Sequence, residues 1–211
     1  MTEAGDICLA ILAAGASRRF GATDKLTANL RGKMLGLHAA ENFAPLGFGK
    51  AVVIAAHADH PCAAGWNAAG FEIIFNPLAD SGMGSSVAAA ARAAEGLSAL
   101  LICLADMPFV PASHILNMIA SLHRSNHGTQ AIIASRAGSR RLPPALFAAA
   151  HFGRLSALKG DRGAHELLAD SETVDSEMVD IDAAKLIDID RPETLAAVNC
   201  GHNGDLLRTI F

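Results

Sequence analysis

Apolar residues cluster in short uninterrupted runs along the chain, at 7–12 (ICLAIL), 51–56 (AVVIAA), 71–75 (FEIIF), 99–105 (ALLICLA) and 131–135 (AIIAS). Runs of this length, bounded by Gly, Pro or charged residues, predict strands buried on both faces rather than strands with one wet face. Between them the pattern changes to helical spacing. Helices are predicted over 34–43, over the alanine-rich 85–95, and over 113–124, where Ser113 precedes the apolar face as an N-cap. A further helix is predicted over 163–168 with Asp161 as its cap. The stretch LIDIDRPETLAAV predicts a strand at 186–189, a turn at 190–192 and a helix with Pro192 near its first position. Strands alternating with helices predict an α/β layered sheet.

Composition narrows the class. The 211 residues are 51% hydrophobic, enough apolar surface for one large core. No repeat, low-complexity tract or linker divides them, so one domain is expected over 1–211, with its core at about 6–198 and a tail from about 199. The net charge of -4 gives no global attraction to nucleic acid or to an anionic membrane, and neither partner is expected. Four scattered cysteines do not make a disulfide framework. No run is long enough to span a bilayer. The apolar start at Ile7 follows Glu3 and Asp6 where a signal peptide needs positive charge. A cytoplasmic protein is the expectation.

Four stretches carry candidate chemistry. LAAGASRRFGATDKL, closing on Leu26, follows the first strand. Gly15 and Gly21 remove Cβ bulk beside backbone N–H groups, and Arg18, Arg19 and Lys25 supply positive charge, a combination suited to phosphates. It matches neither the P-loop nor the dinucleotide fingerprint. NPLADSGMGSSV places Gly82, Gly84, Ser85 and Ser86 at a helix start, where free N–H groups form a polar rim. In LLICLADMPFV, Asp106 is the first charge after a strand, at the carboxyl edge where open α/β sheets bind ligands, and suits Mg²⁺. Asp188 and Asp190, two apart, share a face if the strand continues to them. Each stretch also has a plainer reading: a turn with solvated basic residues, a serine cap, an Asp turn, surface acids before a helix. His57 and His60 lack a third ligand for zinc, and surface exposure is the expectation for the histidines.

In this order and spacing the four stretches, together with LKGDRGAHELL, resemble the MobA-like NTP transferase family, most nearly its molybdenum cofactor cytidylyltransferase branch, over roughly 7–198. The resemblance implies a Rossmann-like three-layer α/β/α sandwich with a mostly parallel central sheet. It also implies transfer of CMP from Mg-CTP to the terminal phosphate of molybdopterin or its molybdenum-loaded form, with pyrophosphate released. Nucleotide contacts are implied for Leu12, Ala13, Ala14, Gly15, Ser17, Arg18, Arg19 and Lys25, and for Asn76, Gly82, Ser85 and Ser86. Lys25, Arg19 and Asp106 are the implied catalytic groups, and Asp106 with Asp190 the implied Mg²⁺ ligands. Ala14 and the GMGSS loop resemble the cytidylyl branch, whereas the guanylyl branch has a glycine in place of Ala14.

The chain departs from the family at Leu142 and Pro143, where relatives carry Gly-His before a proline. That departure keeps other readings open: GTP in place of CTP, another phosphorylated acceptor, or a non-catalytic module delivering nucleotide-linked cofactor to a molybdoenzyme client. An oxidoreductase stands last, because the dinucleotide fingerprint is missing. The segment 136–144, with Gly138, Ser139 and three arginines, is expected to be a mobile loop able to clamp an acceptor phosphate.

Overall fold

The computed structural model describes residues 4–17, 19–21, 23–160 and 176–201. Its centre is β1 (Ile7–Ala13), in which every residue is buried. Continuous burial requires a neighbour on each edge and cover on each face. β4 (Lys50–Ala55) and β6 (Ala99–Leu104) flank it in parallel, and β5 (Glu72–Phe75) lies parallel outside β4. β8 (Arg140–Ala148) pairs antiparallel with β6 and with β7 (Ile132–Ala137), and β9 (Ser176–Asp180) runs parallel to β7. The seven-stranded order is β5-β4-β1-β6-β8-β7-β9. β2 (Asn29–Leu30) and β3 (Lys33–Met34) form a separate short ribbon.

Alternation along the strands sorts the core into two layers. Leu9, Ile11, Val53, Leu101 and Cys103 face α1 (His38–Phe43), α2 (Ala63–Ala68) and α4 (Ala112–Arg124), where Phe43, Trp66, Ile115 and Met118 meet them. Cys8, Ala10, Val52, Ile54 and Ile102 face α3 (Met83–Ala93), whose alanines let it lie close to the sheet, and Leu155 of α5 (Phe152–Ser156). The result is the three-layer, mostly parallel α/β/α sandwich, with β8 as its antiparallel member. All four cysteines are free thiols, three of them buried. No helix among the described residues is long and apolar enough to cross a membrane.

Several expectations are corrected. The segment 136–144 is not a loop: it continues β7, turns at Gly138 and Ser139, and returns as β8. Gly138 takes a φ of +60°, the left-handed conformation a tight hairpin turn needs. Pairing jumps from Ala134 with Ala145 to Ser135 with Leu142, so the bulge takes up Pro143 and Pro144, which have no N–H to donate to a ladder. The segment 186–189 forms no strand. Ser113 does not cap α4, which begins at Ala112 with Pro111 in the cap position. His60, His114 and His151 are buried, against the expectation of surface histidines. The helix expected at 163–168 with its cap Asp161, and residue Arg18, lie outside the described residues.

Gly49 shows how tightly the strand ends pack. A Cβ placed there would sit 2.1 Å from the Gly5 carbonyl oxygen, in a turn where the Gly49 N–H bonds to Ala4. Gly49→Ala should therefore cost about 2 kcal/mol by overpacking and lower the melting temperature by about 4–8 °C in calorimetry, whereas an unchanged melting temperature would show that the turn yields freely.

Candidate active site

The carboxyl ends of β1 and β6 open into a cavity of about 340 Å³. The end of β1 supplies Leu12 and Ala13, the loop leaving it Ala14, Gly15 and Ala16, and the start of α3 Gly82, Met83 and Ser86. No heavy atom lies within 4 Å of where a Gly15 Cβ would stand, so that glycine presents bare backbone to open space. Gly82 takes a φ of +112°, which an L side chain resists, and so turns the chain directly into α3.

The remaining wall is acidic. Asp80, Asp106, Asp188 and Asp190 line the cavity with Lys25 as the cation among its lining residues. The sequence suggested a cationic cradle instead. Arg19 projects outward, 71% exposed, with its guanidinium 3.5 Å from Asp190 Oδ2. Lys25 is anchored in the 3-10 turn Lys25–Thr27, and its ammonium donates to Asp106 Oδ2 at 2.5 Å and to Asp190 Oδ1. The two acids reach it from distant segments because the Ile189 N–H bonds to the Asp106 carbonyl at 3.0 Å. Ile187 and Ile189 are buried, so Asp188 and Asp190 share the opposite face although no ladder forms there.

Burial alone would lower the Lys25 pKa, but Asp106 and then Asp190 outweigh it and raise it above its ordinary 10.5. Burial pushes Asp106 up against the pull of Lys25. Asp190 is lowered: burial opposes the shift, and the Lys25 hydrogen bond and charge overcome it. Burial, followed by the charges of Asp190 and Asp106, raises Asp188. Asp106 Oδ1 is buried without a hydrogen-bond partner.

That orphaned oxygen, beside a second carboxylate, is a donor set of the kind a hard divalent cation takes. Among the described residues no group of three or more His, Cys, Asp or Glu side chains is arranged as a complete metal cage. A cation here would therefore complete its shell with ligand oxygens and water. Two carboxylates and substrate phosphates suit Mg²⁺ in this respect.

Of the residues singled out from sequence, Leu12, Ala13, Ala14, Gly15, Lys25, Gly82, Ser86, Asp106 and Asp190 converge on the cavity. Asn76 and Ser85 are placed behind it. The Asn76 amide donates to Ser85 Oγ at 2.9 Å and Ser86 Oγ at 3.0 Å, and Ser85 Oγ lies within hydrogen-bonding distance of the Leu78 and Gly82 carbonyls. Ser17 lines a second cavity of about 320 Å³ on the other side of the β1 loop. Sequence reasoning left out Asp80 and Met83, for which no local pattern stood out, and Asp24 and His60, whose pairing over 36 positions leaves no local signal.

The linkage signs give a stability test. Lys25, raised above 10.5, adds stability that is complete below about pH 10.5 and is lost as the pH climbs through its folded value. Asp190, lowered below 3.8, adds stability above that pH and loses it as the pH falls through its folded value. In Lys25→Met, Asp106 loses the downward pull of Lys25 and keeps the upward push of burial, its largest influence, so the folded variant holds a proton more readily than the unfolded chain and loses stability as the pH rises. Urea unfolding should show a deficit against wild type of about 2 kcal/mol at pH 7.5, discounted for the one-third exposure of Asp190, and a smaller one at pH 4.5. An equal deficit at both values would contradict the ion-pair account.

The MobA-like NTP transferase domain model matches residues 9–175, the segment that contains the β1 loop, Lys25 and Asp106. The chain is 31% identical over 118 residues to the purine catabolism protein PucB of Bacillus subtilis, a match spanning 54% of this chain and 55% of that protein. It is 31% identical over 163 residues to the nicotine blue oxidoreductase of Paenarthrobacter nicotinovorans, covering 75% of this chain and 79% of that protein. Among solved structures, a nucleotidyl transferase from Methanothermobacter thermautotroptrophicus superposes with a TM-score of 0.79 at 16% identity, over 96% of this chain and 98% of that one. The molybdopterin-guanine dinucleotide biosynthesis protein A of Archaeoglobus fulgidus gives 0.64 at 18% identity, over 96% and 100%. A manganese complex of Rv0371C from Mycobacterium tuberculosis gives 0.59 at 20% identity, over 84% and 89%. With the family model covering most of its length, the chain belongs to the MobA-like NTP transferase domain family.

Proposed function

We propose that this chain works as one cytoplasmic nucleotidyltransferase domain that moves CMP from Mg-CTP to the terminal phosphate of molybdopterin or its molybdenum-loaded form. An acceptor phosphate oxygen forms a bond to the α-phosphorus of CTP as the bond to the β-phosphate breaks, and pyrophosphate leaves. The observation that carries this reading is Lys25 bridging Asp106 and Asp190 in a cavity walled by bare loop backbone and by carboxylates. Four aspartates would repel a naked triphosphate, so a nucleotide enters best with a divalent cation. Asp106 and Asp190 would hold that cation, which when bound offsets the charge developing on the phosphates.

The chain's own residues do the rest. Leu12–Gly15 receives the base and ribose, with Gly82 and Ser86 opposite. In this reading Lys25 neutralises the transferring group, and Arg19, on the outer side of Asp190, the departing pyrophosphate, which their ion pairs with Asp190 support. Arg18 belongs to the same proposed phosphate set, while Ser17, Asn76 and Ser85 support the walls from behind. No covalent nucleophile is required, because positioning and charge neutralisation carry phosphoryl chemistry. CTP is favoured by Ala14 in the β1 loop, and a molybdopterin acceptor by the fold shared with the Archaeoglobus protein. The free thiols accord with a reducing compartment. The relative named nicotine blue oxidoreductase favours a second reading, in which the same cavity serves a redox reaction, with a nicotinamide dinucleotide as the cofactor to test.

Calorimetric titration with CTP, GTP, ATP, UTP and NADPH in Mg²⁺ separates these readings. CTP should bind tightest, and Asp106→Asn should weaken Mg-CTP about tenfold or more while lowering turnover at least about 10²-fold. Tighter GTP binding would transfer the assignment to guanylyl chemistry. Tighter NADPH binding would establish the second reading, and no nucleotide binding would overturn both.

A further inference from the structure

Lys25 is held in place by a polar chain, half-buried at Ser17 and Asp24 and buried at His60, that reaches it from another loop. The 3-10 turn Lys25–Thr27 has only three residues, too few to fix its own orientation. Asp24 caps it: Oδ1 accepts the Leu26 N–H at 2.9 Å, and the Asp24 carbonyl accepts the Thr27 hydroxyl at 2.8 Å. The same Oδ1 accepts the Ser17 hydroxyl at 3.2 Å, and Ser17 Oγ in turn accepts the Lys25 N–H at 3.2 Å. Ser17 stands in the left-handed region at a φ of +48°, so this loop conformation needs support from outside.

The support is His60. The Cys62 N–H donates to His60 Nδ1 at 3.0 Å, which leaves the ring proton on Nε2, and Nε2 donates to Asp24 Oδ2 at 2.7 Å. Its side chain is only 4% exposed. The ring stacks on Trp66, with centroids 4.8 Å apart and planes 24° apart, and the indole N–H is fixed to the Gly36 carbonyl at 2.8 Å. A rigid aromatic stack thus fixes the imidazole, the imidazole fixes Asp24, and Asp24 with Ser17 fixes the backbone of the residue whose ammonium bridges the two acids.

From this geometry we infer that His60 and Asp24 are positioning residues for the phosphate chemistry, holding Lys25 and the β1 loop in register with Asp106 and Asp190. The inference rests on the role given to Lys25 above. Neither side chain lines the acidic cavity, and both line the second one behind the loop. Their effect on the reaction passes through Lys25. Misplacement of a charge-neutralising group by a fraction of an ångström lowers turnover more than it lowers ground-state binding.

The experiment follows Lys25 directly. Reductive methylation of the folded protein, with the rate at each lysine followed by peptide mass spectrometry, should find Lys25 slow. In His60→Leu the Lys25 rate should rise about tenfold while Lys33 and Lys50 keep their wild-type rates, and in His60→Gln, whose amide can still donate to Asp24, it should return to within about threefold of wild type. If His60→Leu fails to fold, all lysines will react together, and Asp24→Asn decides: an amide donor facing the His60 N–H should free Lys25 about fivefold with the other lysines unchanged. In parallel, kcat of His60→Leu should fall about tenfold with KM for the nucleotide changed less than threefold, and His60→Gln should recover most of it. A Lys25 rate within twofold of wild type in a folded His60→Leu or Asp24→Asn overturns the inference. Should the wild type bind no nucleotide, the proposed function falls, and the labelling rates still decide whether His60 and Asp24 hold Lys25.

Discussion

An ammonium ion held between two carboxylates on a largely buried floor is the constraint around which this molecule is arranged. Taking such charges out of water is costly, and the cost is offset only while all the partners are in place. Lys25, Asp106 and Asp190 come from three separate segments, the loop after β1, the turn after β6 and the approach to the helix Pro192–Asn199. The ion pair consequently ties the N-terminal, middle and C-terminal parts of the described chain to one point. Asp188 and the orphaned Asp106 Oδ1 leave that point with more negative than positive character, the state in which a hard cation carrying phosphates is most welcome.

The sheet explains why the point lies where it does. β1 and β6 run side by side in parallel, so their carboxyl ends open on the same edge, and Leu12 and Asp106 come out together. α3 begins at that edge because Gly82, at positive φ, turns the chain immediately into helix. On the opposite layer Trp66 and His60 stack as a rigid backing behind the β1 loop. Core packing and site geometry are thus the same set of contacts viewed from two sides.

Much of this was legible in the sequence. Five apolar runs foretold the strands β1, β4, β5, β6 and β7, since continuous hydrophobicity has few other uses at that length, but β5 is not buried on both faces as expected: it lies at the sheet edge with Phe75 exposed. Asp106 stood out as the first charge beyond a strand, and the β1 loop by its glycine and basic residues. Pairing beyond local pattern was hidden. β8, interrupted by two prolines and three arginines with its partner turn, looked like a loop because its bulge is defined by the register with β7. Asp188 and Asp190 were expected to share a face through a strand, and they share it through the buried isoleucines at 187 and 189 instead. The sign of the cavity was misjudged for a related reason: Arg19 is near the acids in sequence order of motifs but points to solvent, whereas acids from remote segments turn inward. The pairing of Asp24 with His60 was hidden, because 36 positions separate them and each acquires meaning only from the other; His60 was read as a surface histidine without a third zinc ligand.

The account depends most on the claim that this cavity transfers the α-phosphate of a nucleotide, with Lys25 and Asp106 at the reacting group. The most direct measurement follows the label from CTP carrying radioactive phosphorus at either the α or the γ position, incubated with the protein, Mg²⁺ and purified molybdopterin. The account predicts that α label passes to the pterin product and γ label leaves as pyrophosphate, with both lost in Lys25→Met. Release of γ label as inorganic phosphate, or turnover unchanged in Lys25→Met, would contradict it.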